Sequence, residues 1–156
     1  MPDNTVSIKV TGIEEIQAAM KQFPAEVKHE MEEAGKESSV VILETTGLQV
    51  YPPESEANKP PAPYYERGAG TVYPSGKVSM TSETLSEHWE VSANTYKTTI
   101  RNRASYAKWV HGDEQASFHK PRGWRKLTEV AKEKTKAITK IYNESVDRVL
   151  RKIGLK

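Results

Sequence analysis

His111, Asp113, Glu114 and His119 fall within nine residues of one another. Histidine and carboxylate together are a donor set that zinc or manganese accepts. Their spacing argues against such a site. His111 and His119 are eight residues apart across Gly112, on a stretch that reads as a loop, whereas an HExxH arrangement sets both ligands on one helix face. These side chains are better read as hydrogen-bonding loop backbone or standing in solvent, and we expect neither a metal nor another cofactor. Hydrolysis needs a nucleophile, a base and an orienting group in mutual reach. With no cysteine in the chain the nucleophile would be a serine or threonine, and none sits in a glycine-rich elbow. Gly68-Ala-Gly70 is too short for a phosphate loop and is flanked by prolines and tyrosines. The expectation is a protein that is not an enzyme.

Binding chemistry has more to work with. The C-terminal third carries Lys120, Arg122, Arg125, Lys126, Lys132, Lys136 and Lys140, with Trp124 at its head. Cations neutralise phosphates and an aromatic ring can stack on a base, so a nucleic-acid-binding accessory protein is one reading. Glu129 and Glu133 interrupt the stripe, which favours a solvated helix face or sequence-blind contact, and no nucleic-acid motif is present. Trp124, next to a basic loop, is the best candidate among the tryptophans for an interface anchor, but even there core packing is the favoured outcome. Trp89 and Trp109 are expected in the core.

The chain has 156 residues, suggesting one domain over 1–156. Its apolar share of 36% and charged share of 28% are lean for an isolated globule. Either part of the chain is extended or neighbours complete its burial. No apolar run approaches the ~20 residues that span a bilayer, and the first residues lack the parts of a signal peptide, so no membrane association is expected and the protein is read as made and used in the cytoplasm. Residues 13–58 carry ten acidic and three basic side chains, whereas 119–156 carry twelve basic and four acidic. Such a division fits two helices paired inside one subunit, or complementary surfaces on adjacent subunits.

The elements follow from periodicity. Thr5 to Val10 alternates as a half-buried strand. Ile13 to Gln22 reads as a short helix. A long helix is expected from Pro24 to Gly47, with Gly35, Ser38 and Ser39 permitting close packing and Val40-Val-Ile-Leu43 buried all round. Residues 49–80 contain six prolines, which exclude a helix and a central strand. Tyr51, Tyr64, Tyr65 and Tyr73 make this segment too aromatic for a linker. It reads as an extended, partner-docking arm from Tyr51 to Tyr73, mobile in the free chain. Leu85–Ser92 and Tyr96–Arg103 form a hairpin around Ala93-Asn94-Thr95. One helical turn is expected over 106–110. A single terminal helix runs from 124 or 125 to Lys152 with Gly154 as its stop, and Glu144–Arg148 and Asp147–Arg151 form i,i+4 pairs along it. The fold class is α+β: a small, mostly antiparallel sheet of three to four strands with both long helices on one face, and an extended loop at about 49–80.

The order Tyr106-Ala107-x-Trp109-Val110-His111-Gly112, then Gln115, His119 and Arg122-Gly123-Trp124, resembles the small tail-completion, or neck, proteins of long-tailed bacteriophages. The likeness extends to Tyr51-Pro52-Pro53, Tyr65-Glu66-Arg67-Gly68 and Thr84-Leu85-Ser86-Glu87-His88-Trp89, and downstream to Trp124–Ala131. It implies a structural virion component of the neck or upper tail: a homo-oligomeric ring, hexamer or dodecamer, that completes the tail and joins it to the head connector. Its partners would be other connector and tail-tube proteins, with incidental contact to DNA in the channel. The candidate interface residues are Tyr51, Tyr64, Tyr65, Tyr73, Arg122, Trp124, Lys132, Lys136 and Lys140. The extended segment 51–74 departs from the simplest family pattern and leaves the ring level open.

Overall fold

The computed structural model describes residues 5–9, 21, 24–52, 64–66, 70–79 and 84–154. In chain order the elements are β1 (Thr5–Lys9), α1 (Pro24–Leu43), β2 (Tyr64–Glu66), β3 (Gly70–Val72), β4 (Val78–Ser79), α2 (Thr84–Glu87), β5 (Trp89–Asn94), β6 (Lys97–Asn102), α3 (Ala107–His111), a 3₁₀ turn (Lys120–Arg122), α4 (Leu127–Glu133) and α5 (Thr135–Lys152). The fold is α+β. Apart from Lys21, the helix expected over 13–22 lies outside the described residues.

A three-stranded antiparallel sheet in the order β1-β6-β5 carries the main helices. Val6 pairs with Ile100, which pairs in turn with Val91, while Thr98 lies opposite both Ile8 and Ala93. Thr98 and Ile100 are buried toward the helices. Glu90 and Arg101, paired across the hairpin, meet at 2.6 Å on the other face, and Arg103 joins the same carboxylate. One covered face and one charged face is how an antiparallel sheet half-buries itself. Asn94 sets the turn, its Oδ1 accepting from the Tyr96 and Lys97 amides at 3.0 and 2.8 Å. The two-residue turn is therefore Thr95-Tyr96, one position beyond the expected one. Leu85, expected in the strand, sits in the helical turn α2 instead.

Helix α1 lies between the sheet and α5. Val27, Met31, Ala34 and Ile42 form its inner stripe. Buried Gly35, Ser38 and Ser39 confirm the close-packed middle of the helix. A Cβ built on Gly35 would collide with Thr98 Oγ1 and approach Ala93 Cβ to 3.0 Å. Ile138, Ile141, Tyr142, Ser145 and Val149 supply the facing stripe of α5. Tyr142 OH reaches Thr98 Oγ1 at 3.3 Å, tying α5 to the sheet.

The split charge is used inside the subunit at this crossing. Arg148 Nε and Lys152 Nζ donate to the two oxygens of Glu30, at 2.9 and 2.5 Å. The expected Glu144–Arg148 pairing gives way to this one. Glu144 instead meets Lys140 at 3.8 Å.

Three other expectations are corrected. Helix α1 ends at Leu43 rather than Gly47: the Thr45 amide turns to Ile42 O at 3.2 Å, the Gly47 amide goes to Val50 O at 2.9 Å, and the Leu43 carbonyl accepts from the Gln49 amide at 3.3 Å. Val40 is 48% exposed, so the Val40–Leu43 run is not buried all round. The terminal helix is divided at Lys134 into α4 and α5. Thr135 Oγ1 donates to the Lys132 and Ala131 carbonyls at 2.8 and 3.3 Å, and such back-bonding bends a helix.

Part of the segment read as lacking regular structure forms a second antiparallel sheet, β2-β3-β4. Its prolines bracket the strands instead of interrupting them. Pro74 lies in the β3–β4 turn, which is closed by Tyr73 N to Lys77 O and Gly76 N to Tyr73 O, both at 2.9 Å. Neither apolar cluster of the molecule contains a described residue of this sheet. Among the described residues no helix is long and apolar enough to cross a membrane.

Candidate docking site at residues 104–125

Between β6 and α4 the chain makes a compact hook. Ala104, Ala107 and Val110 join Leu85 in a second apolar cluster, against which Trp124 packs. Asn102 fastens the entry, donating from Nδ2 to Leu85 O at 2.6 Å and accepting from the Ala104 amide at 2.9 Å. Gln115 clasps the middle: its Nε2 donates to the carbonyls of Val110 at 2.6 Å and Trp124 at 3.2 Å. Lys126 Nζ and Thr128 Oγ1 reach back to Asp113, to its carbonyl at 3.1 Å and its carboxylate at 3.0 Å.

His111 lies at the root of the hook and is fully buried. Its Nδ1 is 2.9 Å from Arg125 O. A carbonyl only accepts, so Nδ1 carries the proton and donates. The ring stands between Trp89, at 5.3 Å between centroids, and Trp124, at 5.5 Å. Tyr51 continues the series edge-on to Trp124 at 5.9 Å. Burial depresses the His111 pKa to about 4, against the opposing pull of the Arg125 carbonyl. The imidazole is therefore neutral at neutral pH. It acts as a structural tie between the hook and the start of α4.

Three of the four residues that invited a metal reading bond elsewhere, and the fourth, His119, packs on Phe118 at 4.2 Å between ring centroids. His111 is tied to Arg125, Asp113 to Thr128, and Glu114 to Lys108 at 3.4 Å. Among the described residues no group of three histidine or carboxylate side chains is placed to hold a metal ion.

One tryptophan departs from the role expected of it. Trp109, expected in the core, is 46% exposed with Lys108 Nζ lying 4.3 Å above its ring. Trp124, the anchor candidate for which core packing is nevertheless favoured, does pack inward with His111 and Tyr51. The sequence does carry a signal for this: Ala107, Val110 and His111 form the inward i, i+3, i+4 set of α3, which turns Trp109 outward. Trp89 does pack against the main core. Phe118, 54% exposed beneath the Arg122 guanidinium at 5.3 Å, gave no such signal.

The remaining candidate residues are dispersed. Tyr51 is half-buried in the aromatic series, so the expected arm does not begin there. Tyr73 is exposed at the tip of the second sheet. Tyr64 and Tyr65 lie on β2, and their side chains fall outside the described residues. Arg122 leans on the hook, with Nη1 donating to Phe118 O at 3.3 Å. Lys132, Lys136 and Lys140 are exposed on α4 and α5. Glu133 takes Arg125 at 2.6 Å and Glu144 takes Lys140, so the basic stripe is partly neutralised.

The contrast between the tryptophans sets an expected result. Trp124→Ala should cost about 2–4 kcal/mol, since the ring joins two segments distant in sequence. Trp109→Ser should change stability by no more than about 0.5 kcal/mol, as exposed substitutions do. Urea denaturation of both variants checks this, and equal losses would refute the assignment.

No protein-family model, curated protein or solved structure matches this chain.

Proposed function

We propose that the chain is a structural virion protein of the phage neck or upper tail, acting as a ring subunit that completes the tail and joins it to the head connector. One observation carries the reading. Residues that bear the resemblance are scattered along the sequence, yet they meet at one place. Tyr51, Leu85, Trp89, His111, Gln115 and Trp124 all build the root of the hook. A signature whose spaced aromatics and glutamine converge on one structural unit behaves as a folding motif and not as a chance pattern. The unit also displays large exposed aromatics, Trp109 and Phe118, as an assembly subunit requires. The partial neutralisation of Arg125 and Lys140 by carboxylates weighs against the alternative of a nucleic-acid accessory protein.

The test is to disrupt the gene in its phage and examine the products, then to map the intact particle. Separate filled heads and finished tails are expected, with density for this chain as a ring between head connector and tail. Absence of the chain from purified particles, or normal joining without it, would refute the reading.

A further inference from the structure

We infer that the outer side of the hook is one half of a contact between copies of this chain, and that the other half is the acidic outer stripe of α1 on the next copy. The inference rests on the ring reading above and names the surfaces that would meet.

On the hook, the Ala116 amide donates to Trp109 O at 2.9 Å, which brings the strand of loop leading to Phe118 beside α3. Trp109 and Phe118 are each about half exposed, and each has a cation over its ring, Lys108 in one case and Arg122 in the other. Lys120 is exposed beside them. This is an aromatic centre with a basic rim, the anatomy of a protein-docking patch.

On α1, Glu26, Glu33, Glu37 and Val40 follow one another at steps of seven, four and three residues. Those steps keep side chains on one helix face, and all four residues are exposed. Glu44 continues the acidic series in the turn beyond the helix. The subunit's own helix pairing takes Glu30, at the buried edge of the same face, which is held by Arg148 and Lys152, and the Glu37 charge also acts on Arg148 from its exposed position. Among the described residues Glu33 pairs with Lys36 on the same helix, and Glu26, Glu37 and Glu44 have no ion-pair partner. The acidic segment thus presents to the outside the charge that the basic hook complements. Val40 supplies an apolar point on the same stripe for the aromatic centre to cover. Because the two surfaces differ, the contact is head-to-tail, and repetition of it closes into a ring when the rotation per subunit allows.

The chain has no cysteine, so introduced thiols report without background. Phe118→Cys protein is mixed in equal amounts with Glu33→Cys, Glu37→Cys or Val40→Cys protein and oxidised gently. All four positions are exposed, and mixing separate single-cysteine chains excludes bonds within one chain. For at least one pair the mixed disulfide should exceed either homodimer about tenfold, the ratio that ~1.4 kcal/mol of preference yields. High salt should erase most of that excess, since exposed charges are screened. Lys120→Glu in the Phe118→Cys chain should do the same, and Glu33→Lys in the Glu37→Cys chain should restore it. Statistical pairing in every mixture, predominance of the Phe118→Cys homodimer, or no disulfide at all would overturn the interface. A ring found in the particle without the mixed disulfide would retain the neck reading and sink only this contact. The disulfide formed by a chain absent from particles would do the reverse.

Discussion

Lowering the pH from 8 to 5 should cost the folded chain about 2 kcal/mol of stability through His111 alone. The imidazole is fully buried against Trp89 and Trp124, with its Nδ1 proton given to Arg125 O. Burial lowers its pKa from 6.5 to about 4. Between those values the unfolded chain binds more protons than the folded one. The stability of the neutral form is therefore complete above pH 6.5 and is lost progressively toward pH 4. His119 moves in the same direction, also to about 4, through burial and then the Arg122 charge. Being partly exposed, it contributes less. Glu30 works in a different window. Hydrogen bonds from Lys152 and Arg148 hold its pKa below the ordinary carboxylate value of 4.5. Its contribution is present above that value and is lost only as the pH falls through the lower, folded pKa. Urea titrations from pH 8 to 5 thus isolate the histidines. His111→Gln cannot titrate and should flatten most of the profile, while itself costing about 1–3 kcal/mol at pH 8 through the disturbed buried hydrogen bond. A flat profile in the parent, or an unchanged slope in the variant, would show that His111 is not a buried neutral tie.

Gly35→Ala should destabilise the protein by about 1–3 kcal/mol, although alanine is favoured over glycine in a helix interior by about 1 kcal/mol. The sign is decided by Thr98. The new Cβ would collide with Thr98 Oγ1, and Ala93 Cβ stands 3.0 Å away on the other side. Helix α1 would have to lift off β5 and β6, carrying with it the stripe of Val27, Met31, Ala34 and Ile42. Thermal melting should fall by roughly 3–10 °C in a domain of this size. The pairing with Thr98 supplies a sharper test. Thr98→Ala removes the colliding hydroxyl, so the double variant should be less destabilised than the two single losses added together. Gly35→Leu should be much worse than Gly35→Ala. A Gly35→Ala protein that melts at or above the parent would mean that the helix and sheet are not this close.

Much of the scaffold is legible in the order of residues alone. The alternation of Thr5 to Val10, Pro24 as a helix start, the hairpin around Asn94 and the stop near Gly154 all rest on rules that act within a few residues. Gly35, Ser38 and Ser39 also read correctly, because a stripe of small side chains on a helix has few uses other than close approach. Local rules fail where a distant partner wins. Gly47 lies outside α1 and gives its carbonyl to the distant Arg125 amide, and Arg148 leaves Glu144 for Glu30 across the helix crossing. Proline content misleads at 64–79, since strands of two or three residues fit into the stretches that proline leaves open when neighbouring strands are equally short.

By itself the sequence determined the α+β class, the two long helical segments, the main hairpin and the importance of the 105–124 stretch. These follow from periodicity, from backbone restriction at proline and glycine, and from the clustering of aromatic residues. Only the tertiary structure decided that Trp124 is covered. Trp109 and Trp124 are chemically identical, and each stands next to basic residues in the sequence. One is exposed because the inward side of α3 is filled by Ala107, Val110 and His111, and the other is covered because Tyr51, far away along the chain, lies against it. The same holds for the acidic segment. Its composition announced the charge, but the packing of α1 against α5 chose Glu30 for the inside and turned Glu26, Glu37 and Glu44 outward. Burial is a property of what surrounds a side chain, and what surrounds it is settled only when remote segments meet.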